Sequence, residues 1–288
     1  KGGARRRKAV VNRTGRAAIC AVAVVAVITV TLPIAMIVLL AFSVNGSWRT
    51  SLLPSAYTTG NFLKLAVDPQ AWAAIRNSVQ MSALAVVGAI LLGVAASYAV
   101  GRLRFRGRGM IDLAMMLPWA LPGTVVAINL ITAFSRPSIF TFGHVLVGSY
   151  AIVPIAYFVR FSPLVFRSTS AALAHLDPGL EEAARGLGCG PWKAFRRIVA
   201  PLVYRGIAAG ALLAFVDGVG EFVATVLIYS PRYRPLSIAI NDELYRADYG
   251  VAASYGALQA LLTVMVLIAA RRMEDRDGGA ELSRSGIV

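Results

Sequence analysis

The stretch Leu180-Glu181-Glu182-Ala183-Ala184-Arg185-Gly186-Leu187-Gly188-Cys189-Gly190-Pro191-Trp192-Lys193-Ala194-Phe195-Arg196-Arg197-Ile198-Val199-Ala200-Pro201 decides how this chain is read. It predicts two short helices with a glycine break between them. Asp177 before Pro178 supplies an N-cap and a first-turn proline. Gly186, Gly188 and Gly190 end the first helix and permit a tight turn. Pro191 opens a second helix, in which Trp192, Phe195 and Val199 fall three and four apart on one face. Lys193, Arg196 and Arg197 lie beside that face. One reading is an amphipathic helix resting on an anionic lipid surface. The other is a helix pair that inserts into a protein groove. Glu181 and Glu182, next to small Ala183 and Ala184, favour the groove, because paired acids have no reason to lie on anionic lipid.

The surroundings of this segment are apolar. Of 288 residues, 57% are hydrophobic and 15% charged, and the mean hydropathy is +0.67. Soluble domains carry about 25% charged residues. Six runs reach the roughly 20 residues that cross a hydrocarbon core: Ala17 to Phe42, Ile75 to Val100, Met110 to Phe134, His144 to Phe166, Leu202 to Tyr229 and Tyr249 to Ala270. Pro118 and Pro122 interrupt the third, Pro154 and Pro163 the fourth. A cleaved signal peptide competes for the first run, but its apolar part would span only about 7–15 residues. The expected fold is therefore all-α, a polytopic membrane protein with six transmembrane helices. Its parts are a basic start at 1–16, a membrane domain at 17–271 with a loop at about 168–201, and a polar, loosely ordered tail at 272–288.

Charge placement sets the expected orientation. Lys and Arg number seven in residues 1–16, four in 101–109, six in 167–205 and four in the tail, 21 in all, against six on the opposite side. Both termini and the 167–205 segment are thus expected in the cytoplasm. The net charge of +15 sits in blocks between apolar runs. It is not interleaved with aromatics on amphipathic faces, which argues against nucleic acid as a partner. Cys20 and Cys189 lie too far apart in context for a disulfide. With only His144 and His175, no metal set forms, and no cofactor is expected. No nucleophile–base pair points to an enzyme.

Glu182-Ala183-Ala184, with Gly188 six residues after the glutamate and then Ile198 and Pro201, resembles the EAA loop of type I ABC importer permeases, the binding-protein-dependent, MetI-like family. Leu187 and Cys189 depart from the residues often found beside the glycine. The resemblance implies that Glu182, Ala183, Ala184, Gly188, Pro191, Trp192 and Pro201 couple to a cytoplasmic ABC ATPase dimer. Glu182 would pair with a base, the alanines would permit close approach and Gly188 would make the turn. It also implies a second permease subunit, as a homodimer or heterodimer, an extracytoplasmic substrate-binding protein, and residence in a bacterial inner membrane. The chain has no phosphate loop of the Gly-x-x-x-x-Gly-Lys-Ser/Thr form, so ATP chemistry would belong to the partner. Gly220-Glu221-Phe222-Val223-Ala224-Thr225 and Arg234-Pro235-Leu236-Ser237-Ile238-Ala239-Ile240 look most like permeases for ferric iron, thiamine, polyamines and phosphonates.

Inside the expected spans, Asp217 and Glu221 are four apart, which would place them on one helix face. Acidic groups at that depth cost about 2.5–3.5 kcal/mol and face a bundle interior or wet cavity. They line a translocation path, or form a structural pair with Arg160. Pro118 and Pro122 mark either a bent, path-lining helix or a packing kink. Gly206 and Gly210, with Ala214 in step, suit close helix packing. A rival function is an ion-coupled secondary transporter that uses Asp217 and Glu221 and needs no ATPase.

Overall fold

A computed structural model describes residues 13–48 and 53–284. Most of the basic start, and Arg49, lie outside the described residues. The described chain is helical and lacks β-strands, with one isolated antiparallel bridge between Ser43 and Tyr57. In order, the helices are α1 (Arg13–Ala41), α2 (Gly60–Val67), α3 (Pro69–Arg102), α4 (Arg108–Ala120), α5 (Gly123–Phe134), α6 (Ile152–Ala174), α7 (Gly179–Gly186), α8 (Pro191–Ala194), α9 (Ala200–Gly220), α10 (Thr225–Ile228), α11 (Leu236–Tyr245) and α12 (Tyr249–Arg284).

Three of these, α3, α6 and α9, make the centre. α3 starts where Asp68 accepts a hydrogen bond from the Gln70 amide at 2.8 Å and Pro69 takes the first turn. Its buried residues are mostly small: Ala71, Ala74, Ser78, Ser82, Ala85, Ala89, Gly93 and Ala96 recur three and four apart. Small residues let backbones approach, which matters where lipid supplies no hydrophobic drive between helices. A Cβ on Gly93 would stand 3.0 Å from the Phe166 amide nitrogen of α6. The expected Gly206–Gly210–Ala214 seam is present on α9. A Cβ on Gly206 would stand 2.5 Å from that of Ala172, and one on Gly210 would stand 2.8 Å from the Val165 Cα. Ser97 Oγ donates toward the Gly93 and Phe166 carbonyls at 2.7 and 2.8 Å, and Ser168 Oγ donates to the Gly206 carbonyl, stitching the three helices. Tyr157, Phe166 and Met81 are fully buried there. α1 packs at the edge against α12 and keeps its apolar residues exposed, as a helix facing lipid does. Its Thr29 and Thr31 hydroxyls bond back to the Val25 and Val27 carbonyls at 2.8 Å.

Among the described residues, four helices are long and apolar enough to cross a membrane singly: α1, α3, the Pro191–Gly220 helix and the start of α12. Four of the six expected runs need revision. The third is two helices, α4 and α5, meeting at 108°. Pro122 removes an amide and biases Leu121 to its extended conformation (ψ 137°), so the helix cannot continue. The bend comes at Leu121–Pro122, whereas Pro118 sits inside α4. The fourth run shifts to Ile152–Ala174, because Gly143 and Gly148 hold positive φ and keep 143–148 irregular. Arg160 and Arg167 lower its apolar character. The fifth stops at Gly220 and not at Tyr229, and α12 stays helical beyond Arg272 to Arg284, where a loosely ordered tail was expected. Residues such as Glu274, Ala280, Glu281 and Leu282 are good helix formers.

Candidate functional site

The Leu180–Pro201 segment forms the expected helix–turn–helix at one end of the bundle. Asp177 Oδ1 accepts from the Gly179 amide at 2.9 Å. α7 closes with Gly188 at φ +77°, and the Cys189 amide returns to the Ala184 carbonyl at 3.0 Å. Only a glycine adopts that φ cheaply. After α8, residues Phe195–Val199 widen into a π-helical turn and run into α9 without a break. Pro201 accounts for it: the ring cannot donate and crowds the carbonyl four residues back, and the wider turn makes room.

The two faces of this unit differ. Glu182, Ala183, Gly188, Pro191, Trp192 and Pro201 are exposed, together with Leu180 and Leu187, while Ala184 is buried. Trp192, 72% exposed, stacks on Phe195 at 5.7 Å. The predicted single apolar face is therefore split: Trp192 points outward, Phe195 is half-buried and Val199 is buried.

Glu181 departs from its expected place in a partner's groove. It is 3% exposed and turned into its own chain. Its carboxylate lies 2.9 Å from Arg102 Nε and 3.7 Å from Arg185, and it accepts from the Tyr98 hydroxyl at 2.9 Å. Arg102 also donates to the Leu173 and Leu176 carbonyls at 3.2 and 2.8 Å. One guanidinium thus joins the end of α3, the end of α6 and the start of α7. In sequence, Arg102 reads only as one of the four basic charges of 101–109, and Tyr98 belongs to no motif. The signal available was an arginine and a tyrosine four apart at the end of an apolar run. A polar cleft of about 520 Å³ opens beside this knot, lined by Arg102, Arg104, Arg108, Glu182 and Arg185.

Deeper in the bundle, Asp217 and Glu221 do not share a helix face. α9 ends between them at Gly220, and Glu221 adopts an extended ψ of 115°. Glu221 is 7% exposed, with Oε2 3.1 Å from Arg160 Nε and Oε1 accepting from the Ala224 amide at 2.8 Å. Its carbonyl accepts from Thr225 Oγ1 and Ser237 Oγ at 2.8 and 2.9 Å, which anchors the chain break. Asp217 is exposed. The structural pairing of Glu221 with Arg160 is thus present, and Asp217 forms no ion pair among the described residues. Pro122 belongs to the bend that brings Gly123 against Arg160. At the end of the molecule remote from the helix–turn–helix, a cleft of about 360 Å³ is lined by Gln70, Asn77, Tyr229, Arg232, Arg234 and Asp242.

The helical bundle thus carries a two-helix projection between α6 and α9, which pack along the Gly206–Gly210 seam. Residues 85–276 match the family described as binding-protein-dependent transport system inner membrane component, and the chain belongs to that family. It is 32% identical over 271 residues to a protein named probable ABC transporter permease protein y4fN from Sinorhizobium fredii. That match covers 92% of this chain and 47% of the relative. It is 29% identical over 265 residues to a protein named putative 2-aminoethylphosphonate transport system permease protein PhnV from Salmonella paratyphi A, covering 92% and 97%. The chain thus spans about half the length of the first relative and nearly all of the second. Further relatives are named for sulfate and molybdenum transport. The fold is that of a chain in the crystal structure of a bacterial ABC transporter involved in alginate import, with a TM-score of 0.72 at 19% identity over 90% of this chain and 94% of that one. Members of this family are membrane transport components and are not enzymes themselves. Membership displaces the secondary-transporter reading, in which Asp217 and Glu221 served as ion sites without an ATPase.

Proposed function

We propose that this chain is the permease subunit of an ATP-driven importer, coupled through Glu182 to Pro201 to a cytoplasmic ATPase dimer. The single observation that carries the coupling is the two-faced helix–turn–helix. Its inner face is tied to α3 and α6 by Glu181 and Arg102, and its outer face presents Leu180, Glu182, Ala183, Leu187 and Trp192. Exposed apolar residues around an acid suit a protein groove, and the ion pair on the other side suits a lever that must not slip. On this reading Ala183 gives close approach, Gly188 and Pro191 shape the turn, and Pro201 sets the entry into α9. A second permease subunit and an extracytoplasmic binding protein complete the machine, both termini are cytoplasmic by the charge asymmetry, and α6 with the α4–α5 pair brings the spans to six.

The path runs by the two chain breaks, at Pro122–Gly123 and at Gly220–Ala224, with Asp217 and Glu221 at the second. Pro118 shapes the approach along α4. Interrupted helices meeting at one level are a recurrent site for polar cargo in transporters. For cargo, the relatives named for phosphonate, sulfate and molybdenum favour a small oxyanion-bearing solute over ferric iron, and Arg232 in the remote cleft, beside the Arg234–Asp242 pair at 2.8 Å, suits an anion at the entrance. Co-purification tests the whole reading. The protein should bring down an ATPase subunit, and Glu182→Ala should abolish uptake into vesicles. Isolation of the protein without any ATPase, together with intact uptake by Glu182→Ala, would sink it.

A further inference from the structure

Four buried side-chain polar atoms remain without a hydrogen bond or ion pair among the described residues: Ser82 Oγ, Arg160 Nη1, Thr169 Oγ1 and Gln259 Oε1. Three of their side chains surround one stretch, Gly218–Val223. A Cβ on Gly218 would stand 2.9 Å from Ser82 Oγ, and one on Gly220 would stand 3.2 Å from Gln259 Nε2. Arg160 reaches the same place from α6: a Cβ on Gly123 would stand 2.5 Å from its Nη1 and 3.2 Å from the Val223 Cβ. Buried polar atoms left unpaired cost free energy, more so within a bilayer. Their convergence on the end of α9 and the non-helical residues that follow it marks a place where polar matter passes.

The charges there select what passes. Glu221 is taken by Arg160, leaving the guanidinium with spare donors. Asp217, one turn earlier, is exposed, forms no ion pair among the described residues and lies within electrostatic reach of both. A bare oxyanion would meet Asp217. A bare metal cation would meet Arg160 and find one free carboxylate, and no group of three metal-ligating side chains exists among the described residues. Building on the permease reading above, we infer that the end of α9 and the break after it, Gly218–Val223, take a small zwitterion, its oxyanion on Arg160 and its ammonium on Asp217. Gly123 covers Nη1 in this conformation, so contact follows a movement at the Leu121–Pro122 bend.

The test uses the permease–ATPase complex in lipid nanodiscs, with binding followed by saturation-transfer NMR. The probes are 2-aminoethylphosphonate, ethylphosphonate and ethylamine. The zwitterion should bind at least tenfold tighter than either half-molecule. Asp217→Asn, at an exposed position that leaves packing alone, should reduce it to the level of ethylphosphonate, and Arg160→Gln should reduce it to that of ethylamine, with Arg160→Lys restoring part. Equal binding of the three probes, no binding of any at millimolar concentration, or an unchanged preference in Asp217→Asn would overturn the inference. The ATPase content of the complex separates the two claims. A complex that holds its ATPase through Glu182 and shows no preference refutes the zwitterion site alone, whereas a chain that never retains an ATPase refutes the permease reading.

Discussion

Glu181→Gln isolates the tie between the helix–turn–helix and the rest of the bundle. The substitution keeps the shape and the acceptor for the Tyr98 hydroxyl but removes the charge facing Arg102, whose side chain is 12% exposed. Breaking a buried ion pair from one side costs about 3–5 kcal/mol, because the remaining charge is stranded. Arg102 keeps two carbonyl partners, Leu173 and Leu176, so the low end applies, about 3 kcal/mol. That is about a hundredfold fall in the fraction of molecules holding α7 against α3, since about 1.4 kcal/mol is tenfold. Because Glu182 and Trp192 face away, ATPase binding should survive. Reconstituted vesicles report both quantities: ATP hydrolysis should continue while cargo imported per ATP falls at least tenfold. Arg102→Gln should do the same, and the double variant should cost less than the sum of the two singles, as expected of partners in contact. Unchanged uptake per ATP in Glu181→Gln, or additive losses in the double variant, would refute the strut.

Three other outcomes follow from the packing. Gly210→Val places a side chain 2.8 Å from the Val165 Cα and 2.9 Å from the Leu164 carbonyl, both backbone, so thermal unfolding in detergent should fall by several degrees or the protein should fail to assemble. Gly188→Ala forces a side chain into φ +77°, at about 1–2 kcal/mol, and should loosen the turn, read as faster hydrogen exchange in 183–190 with the membrane helices unchanged. Ser97→Val leaves the Phe166 carbonyl without its side-chain donor, and should lower stability by about 1 kcal/mol in a denaturant titration, with ATPase co-purification intact.

The coupling segment was legible in the sequence because its signals are local. Asp177, the glycines and Pro191 dictate caps and turns whatever surrounds them, and the cap and turn appear where expected. The Gly206–Gly210 seam was legible for the same reason. The Asp217–Glu221 placement was not: four-residue spacing implies one face only while a helix continues, and Gly220 ends it. What holds Glu221 extended is tertiary, with Arg160, Ser237 and Thr225 bonding the break. Glu181 was misplaced because two adjacent acids look alike in sequence. Helix phase about the Asp177 cap decides that Glu181 turns inward with Ala184 and Glu182 outward. The bend in the third run was signalled by Pro118 and Pro122, but its size of 108° depends on packing against α6 and α10.

On the proposed function, the outer face of Leu180–Trp192 is a docking surface for an ATPase. Cysteine protection tests it most directly. With Cys20 and Cys189 replaced by serine, Leu187→Cys places one thiol at a position 89% exposed, and Tyr57→Cys places another at a position 57% exposed and far from that face. Maleimide labelling is then compared for the permease alone and with its ATPase bound. Docking predicts at least tenfold slower labelling at position 187 and no change at position 57. Equal labelling rates at position 187 with and without the ATPase would show that no ATPase docks on this face.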